Sequence, residues 1–473
     1  MDFKTITEKF YQFEKDLNLF EQQIDGVYFW ELVRWNIHRQ ILQEKGVYGQ
    51  AHTKFDINSK YYKIINATRN FFYKNPFLAS KADILFIGHP RRKLMEDGLW
   101  WDIYSDPVIE SIKNKRKCLL LERPILNKHL CPTKTSNIRH LDIAYFSASM
   151  VKRTKLNKVC LLSKDKSIIR EINVKLSEIF NTNLNLEYKI LHKLRVKKNQ
   201  TPVYKILLKK IKPKIVIFLV SYGNEIFIDA CKKLSIPSVE LQHGTSIGFY
   251  HLGYSFPIEF PKKIFPDYLF VFGDFWKYRT TYPIPAKNIF SVGYPFFEME
   301  TNKYKDEPKK NQVIFISQNT IGGRLSKFAV ELKKNQDFNL DIVYKLHPGE
   351  YAIWAKEYPW LVDSGVRIID NDSEPLYKLL AQSKLLVSVY STVVYEGLGM
   401  GLKIFLVDFP GIEYMDELIS SKAAVKISSL DEFIQNLKQT SQDYQVKPDN
   451  FFKPNALKNI GKALDEIINK QCH

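Results

Sequence analysis

Short apolar runs alternate with helix-length amphipathic stretches along most of this chain, and that alternation narrows the fold more than any other feature. Residues 84–87, 118–121, 215–219, 238–241, 268–272 and 290–292 have the length and apolar texture of buried strands. Several run into turn residues, as in Gly88-His89-Pro90, Gly273 and Gly293-Tyr294-Pro295, the punctuation expected at the carboxyl ends of parallel strands. Helical patterns at 167–180 and 226–234 fall between them. A polar stretch at 299–312, with Met299 its one apolar aliphatic residue, reads as a linker. Alternation then restarts. Strands are expected at 313–316, 342–346, 366–369, 385–389, 404–407 and 424–427, and helices at 374–381 and 392–400.

Repeated β-α units of this kind build parallel sheets, so the class is α/β. The sequence predicts two Rossmann-like parallel-sheet domains facing a cleft, at 79–298 and 313–450, joined through 299–312. Residues 1–78 lack strand alternation. Val27, Trp30, Val33, Ile37 and Ile41 recur at three- and four-residue steps, one apolar stripe, so a helical N-terminal extension is expected there. A C-terminal helix is expected within 451–473. Ligands of open α/β sheets bind beyond the carboxyl ends of the strands, which directs attention to strand-end motifs.

Composition removes other classes. The five cysteines lie far apart, with no CxxC pair and an odd total, so neither a disulfide framework nor a structural zinc site is expected. The N-terminus lacks the apolar core of a signal peptide, and the longest apolar run, 215–220, is far below the roughly 20 residues needed to span a bilayer. Lysine and arginine exceed the acidic residues by 19, which points to an anionic partner. The excess has a local source: residues 191–214 hold nine Lys/Arg and no acidic residue. Lys205, Lys209 and Lys212 share one helical face there, a pattern suited to anionic lipid headgroups. No zinc-finger or RNA-recognition signature interleaves the charge, so nucleic acid is not expected.

Two motifs in the second half carry chemistry. In Tyr344-Lys345-Leu346-His347-Pro348-Gly349-Glu350, His347 follows directly on a strand, where a ring nitrogen reaches a phosphate, and Pro348-Gly349 turns the chain. Lys345 shares the side of His347 by the period of two and adds a point charge. In Ser388-Val389-Tyr390-Ser391-Thr392-Val393-Val394-Tyr395-Glu396, a strand ends in hydroxyl residues and a helix begins. Ser391 or Thr392 suits the N-cap, whose free amides form an anion site. Glu396 lies one turn deeper on the same face, placed to accept ribose hydroxyls. Together these describe a nucleotide-phosphate pocket; neither is a Walker A loop nor a G-x-G-x-x-G fingerprint.

The first half offers two more. His89, Arg91, Arg92, Glu96 and Asp97 share the loop after the first strand; His89, Arg91 and Arg92, with Gln242 below, are expected to line the cleft or meet the acceptor, and Asp97 beside Gly98 suits a general base for an acceptor hydroxyl. Gln242-His243-Gly244 follows another strand; His243 is a cleft residue, and Gly244 lets the backbone approach a ligand closely.

The set resembles bacterial sialyltransferases and polysialyltransferases, which are GT-B glycosyltransferases using CMP-sugars. That resemblance rests on Glu96-Asp97-Gly98, His347-Pro348 and Ser391-Thr392, and implies Asp97 as base and His347 on the donor phosphate. The series Gln242 to Gly244, Lys345 to Pro348 and Ser391 to Glu396 also resembles capsule Kdo transferases and, more distantly, CDP-glycerol glycerophosphotransferases of teichoic acid synthesis. The expectation is an inverting, metal-independent glycosyltransferase of capsule or lipopolysaccharide biosynthesis without a cofactor, acting on a lipid-linked or oligosaccharide acceptor at the cytoplasmic membrane face. A sugar-nucleotide epimerase of the same fold, a CDP-glycerol-type phosphotransferase and a non-catalytic polyanion-binding or membrane-binding protein are the alternatives.

Overall fold

The computed structural model describes residues 1–47, 65, 68–90, 92–125, 128–145, 159–245, 247–256, 263–438 and 447–470. Two parallel sheets organise it. The first has seven strands in the order β5-β4-β1-β6-β7-β8-β9 and the second six in the order β12-β11-β10-β13-β14-β15. In the first sheet β1 is Ile84–Ile87, β4 Cys118–Glu122, β5 Ile138–His140, β6 Ile215–Phe218, β7 Ser238–Leu241, β8 Tyr268–Val271 and β9 Ile289–Ser291. In the second, β10 is Gln312–Ile316, β11 Asp341–Lys345, β12 Arg367–Ile369, β13 Leu385–Ser388, β14 Lys403–Val407 and β15 Val425–Ile427. A two-stranded antiparallel hairpin, β2 (Lys93–Leu94) and β3 (Trp100–Trp101), rises from the loop after β1.

Both faces of the first sheet are covered, which is why its strands read as continuous apolar runs. Leu85 and Ile87 of β1 pack with the N-terminal helices Phe3–Asp16 and Trp30–Glu44 in one core. Ile84 and Phe86, pointing the other way, pack with Ile460, Leu464, Ile467 and Ile468 of the helix Ala456–Asn469. The chain end thus returns to the first domain. Burying each such aliphatic side chain contributes about 1.5–3 kcal/mol. Residues 299–303 continue the helix Pro295–Lys303, and Gln312 already belongs to β10, so ordered structure enters the stretch read as a linker from both ends.

The N-terminal helices are fastened to the loop that follows β7. Arg34 and Glu14 form a buried ion pair at 2.7 Å, and Arg34 also donates to the carbonyls of Leu252 and Ser255. Glu31 accepts the amides of Lys263 and Ile264, each at 3.0 Å. Removing one partner of such a buried pair costs about 3–5 kcal/mol, so these helices are integral to the domain rather than an appendage.

Candidate functional site

Each sheet has a point where strand order reverses. In the second it lies between β10, whose next connection leads to β11 and β12, and β13, which leads to β14 and β15. Such a reversal opens a crevice at the carboxyl ends of the two strands. Tyr390, after β13, hydrogen-bonds across it to Thr320 in the loop after β10.

Beside that crevice stands the loop after β11, with His347, Pro348 and Gly349 exposed. A buried carboxylate holds it. Glu350 accepts the His347 amide at 2.7 Å, the Ser317 hydroxyl at 3.1 Å and the Tyr358 hydroxyl at 2.8 Å. A Cβ at Gly322 would stand 2.0 Å from Glu350 Oε1 and 2.5 Å from the Tyr358 hydroxyl, so the approach requires glycine. The Gly349 amide donates to His347 Nδ1 at 3.1 Å. An acceptor Nδ1 puts the ring proton on Nε2 in the neutral imidazole, making Nε2 a donor for an oxyanion.

Ser391 caps the helix Thr392–Gly399, its hydroxyl accepting the Val393 amide at 3.3 Å, and Thr392 is exposed at the first turn. The remaining expectations for this half change. Ser388 is fully buried and donates to the Ile316 carbonyl at 3.0 Å, stitching β13 to β10 rather than meeting a ligand. Lys345 is also buried and bonds the Asn371 carbonyl at 2.8 Å and the Tyr351 hydroxyl, so its ammonium serves the loop after β12. Glu396 is buried and accepts the Tyr377 hydroxyl at 3.0 Å.

Burial pushes the Glu396 carboxyl up to about 7, against the opposing pull of the Tyr377 hydrogen bond and the Lys93 charge. A carboxyl raised in the folded state carries no penalty below its ordinary value of 4.5 and loses stability as pH climbs towards about 7. Thermal melts of wild type and Glu396→Gln should therefore separate between pH 5 and 8, the wild type losing stability relative to the variant as pH rises. Parallel profiles would remove the buried-acid assignment.

In the first sheet the reversal lies between β1 and β6. His89 follows β1, Tyr222 follows β6 and His243 follows β7, so three neighbouring strands deliver rings to one place. The Tyr222 hydroxyl and His243 Nε2 are 3.2 Å apart, and the His89 and His243 rings stand 6.2 Å apart. Beneath His243, Nδ1 lies 3.9 Å from the buried carboxylate of Glu240, which accepts the Tyr254 hydroxyl. Asp102, fully buried, accepts the His89 amide at 3.0 Å and those of Tyr104 and Ser105, fixing the turn after β1. A Cβ on Gly88 would lie 3.0 Å from that carboxylate and 2.7 Å from Leu120 Cδ1.

Arg92 does not line the cleft. Its side chain is buried against Glu122 and lies 3.3 Å from Asp106. Gln242 is buried too, donating to the Gly244 carbonyl at 2.8 Å and accepting the Phe272 amide at 2.8 Å, a brace between β7 and β8. Space is open around Gly244. Arg91 lies outside the described residues. Asp97 sits at the exposed tip of the β2–β3 hairpin, where its carboxylate meets the Leu99 amide at 3.1 Å, Trp101 Nε1 at 3.1 Å and Lys134 at 3.3 Å. Desolvation, the largest single influence, raises its pKa, but these three donors together outweigh it and hold the carboxyl below its ordinary value.

The carboxyl ends of the two sheets meet. Thr245 and Ile247–His251 after β7 and Glu413–Tyr414 after β14 line one cavity of about 460 Å³. Tyr250 donates to Asp416 at 3.3 Å, and Arg279 donates to the Tyr414 carbonyl at 3.1 Å, holding the halves together along its edge. The hairpin also reaches the helix that leads out of the first domain: Lys93 lies 5.3 Å from the Phe296 ring, and Glu96 pairs with Lys303 at 2.5 Å. Asp102, Tyr222, Glu350 and Thr320 were not singled out from the sequence. The carboxylate three residues beyond His347 was the available signal for Glu350, since that spacing lets a side chain cap its own turn.

No protein-family model matches the sequence, and no curated protein matches it. Among solved structures, the chain is similar to a UDP-GlcNAc 2-epimerase from Methanocaldococcus jannaschii, with a TM-score of 0.49, 10% identity and coverage of 81% of this chain and 99% of that one. It is also similar to a UDP-GlcNAc 2-epimerase from Neisseria meningitidis bound to UDP-GlcNAc, with a TM-score of 0.48, 14% identity and coverage of 81% and 99%. The wall teichoic acid polymerase TagF gives a TM-score of 0.45 at 11% identity, over 93% of this chain and 99% of that one.

Proposed function

We propose that the chain is an inverting glycosyltransferase of bacterial surface-polysaccharide synthesis, taking a sugar from a nucleotide-activated donor, CMP-linked by preference, to a glycan acceptor. What supports this reading is a phosphate-type pair of turns at the carboxyl ends of the second sheet and a cluster of rings at those of the first, two ends that meet at the cavity lined by Thr245 and Tyr414. The donor phosphate lies between His347 Nε2 and the amides at the head of the Thr392–Gly399 helix, with Ser391, Thr392 and Pro348 around it.

In transfer, the acceptor oxygen forms a bond to the anomeric carbon while the bond from that carbon to the phosphate oxygen breaks. The nucleotide leaves with the electron pair. Its new charge falls beside His347, a preorganised donor. The acceptor proton passes to a base on the opposite side, hence on the first domain. His243 fits that task better than Asp97: its ring lies between the Tyr222 hydroxyl and the Glu240 carboxylate, whereas the three donors on Asp97 weaken it as a base. Binding is tested by thermal shift with a panel of CMP-, CDP- and UDP-sugars. A donor at a hundred times its Kd stabilises by about 2.7 kcal/mol. Stabilisation by none of them would dismiss the reading.

Among the described residues no helix is long and apolar enough to cross a membrane. We place the chain on the anionic inner face of the plasma membrane through the helix Leu186–Ile211 and its cap, Lys212. Leu207 and Ile211 face the core, while Lys209, Lys212 and Ile206 are exposed and Lys205 is partly so. Phe71, Phe72, Tyr73 and Leu78 are exposed on the neighbouring segment, whose Pro76–Leu78 turn touches this helix. Exchanging Lys205, Lys209 and Lys212 for Glu should abolish sedimentation with anionic vesicles and leave transfer to a soluble acceptor intact. Each cation near such a surface is worth about 1 kcal/mol. Wild type that ignores anionic vesicles at low salt would reduce the patch to a solvated face.

A further inference from the structure

Away from the cleft, at the edge of the first sheet, two histidines and a carboxylate converge. Glu122 ends β4, His140 ends β5, and His129 lies on the loop between them. One ligand atom from each lies within 4.8 Å of the others, and among the described residues this is the one group of three or more His, Cys, Asp and Glu that meets that condition. Glu122 and His140 are buried, and the His129 side chain is 8% exposed.

What lies behind these three side chains decides their chemistry. His129 Nε2 is 2.8 Å from Asp142 Oδ2, and His140 Nδ1 is 3.1 Å from Asn70 Oδ1. Each histidine can give one ring N–H to an oxygen behind it; His140 Nε2 then carries a lone pair, and His129 Nδ1 offers one once an ion displaces the proton it shares with Glu122. His129 Nδ1 is 3.0 Å from Glu122 Oε1. The other Glu122 oxygen is gripped by Arg92. Carboxylate or carbonyl partners on the far nitrogen are the usual means of orienting a metal-bound imidazole.

We propose that Glu122, His129 and His140 bind one divalent transition-metal ion of the zinc class, with Asp142, Asn70 and Arg92 as positioning residues. Nitrogen and carboxylate ligands match that class, and ligand distances near 2.0–2.2 Å are expected on binding, with solvent completing the tetrahedron. The two rings are parallel, 3.5 Å apart at an angle of 3°. An ion between them sits off both ring planes until one turns, and His140, held by a single side-chain hydrogen bond, is the ring that tilts.

The ion would close the loop between β4 and β5. That loop in turn holds the hairpin, since the Trp100 amide donates to the Pro132 carbonyl at 2.8 Å and the Lys134 amide to the Trp100 carbonyl at 3.1 Å. The role is structural and lies outside the transfer chemistry. The spacing, seven residues from Glu122 to His129 and eleven more to His140, follows no zinc motif, so the group is not legible as one along the chain.

The test uses the full chain, stripped with chelator and titrated with Zn²⁺ and with Co²⁺. One ion per chain, visible ligand-field bands with Co²⁺ and a rise in melting temperature are expected. Asp142→Asn should weaken Zn²⁺ about 10- to 100-fold, the usual effect of losing an outer partner, and His129→Ala with His140→Ala should abolish the bands. No stoichiometric Zn²⁺ or Co²⁺ binding by wild type overturns the proposal, whatever the variants do. Unchanged binding in the double variant overturns it equally, since the ion then sits elsewhere.

Discussion

His347→Ala should lower the transfer rate by about 10²-fold or more while the protein remains folded, because a preorganised donor to a developing oxyanion is worth that much. The residue is exposed at a strand end, so little packing is lost. Its backbone amide, not its ring, carries the bond to Glu350, and that bond survives the substitution. The Gly349 amide loses its acceptor but is solvent-accessible. Donor affinity should fall less than the rate, since the charge on the leaving nucleotide grows only in the transition state. Measuring the rate by nucleotide release and the affinity by calorimetry separates the two. A well-folded variant with near-normal turnover would remove His347 from the donor phosphate.

A loss of about 10²- to 10⁴-fold is expected for His243→Ala, the range for removing a positioned general base, with donor binding retained because the phosphate contacts lie on the other domain. Asp97→Asn should cost far less. Its carboxylate anchors a hairpin tip through Trp101 and Lys134, so the substitution disturbs local order before chemistry. The two variants are compared at saturating donor across pH. Equal donor affinity with the rate lost only in His243→Ala supports the assignment. Retained rate in His243→Ala, with loss in Asp97→Asn, would return the base to the hairpin and require the tip to swing inward.

The parallel strands were legible because a strand covered on both faces must be apolar at successive positions, as in Ile84–Ile87 and Ile215–Phe218. β5 escaped notice: three residues, Ile138–His140, are too short to show a period, and the strand is assigned only by its pairing with β4. Strand-end punctuation placed His347 at an exposed turn and Ser391 at a helix cap because a turn or a cap is written locally. Partners distant in sequence are not. Arg92 looked like a ligand-binding cation until Glu122 and Asp106 supplied its charges, and Gln242 until the Phe272 amide claimed its oxygen. For Lys345 alternation gave the side of the strand, and for Ser388 its hydroxyl gave the chemistry, but neither gave the depth. Ser388 meets the neighbouring strand β10 and Lys345 the loop after β12, so both polar groups are satisfied inside the domain.

The central claim is that the cleft moves a sugar from a nucleotide to an acceptor, and one reaction tests it. Wild-type protein is incubated with the nucleotide-sugar that stabilises it most, with and without an oligosaccharide acceptor, and both nucleotide and glycan are followed by mass. The account predicts free nucleotide only when acceptor is present, matched one for one by acceptor molecules heavier by a single sugar. Isomerisation of the nucleotide-sugar without acceptor, or binding with no turnover under either condition, would contradict it.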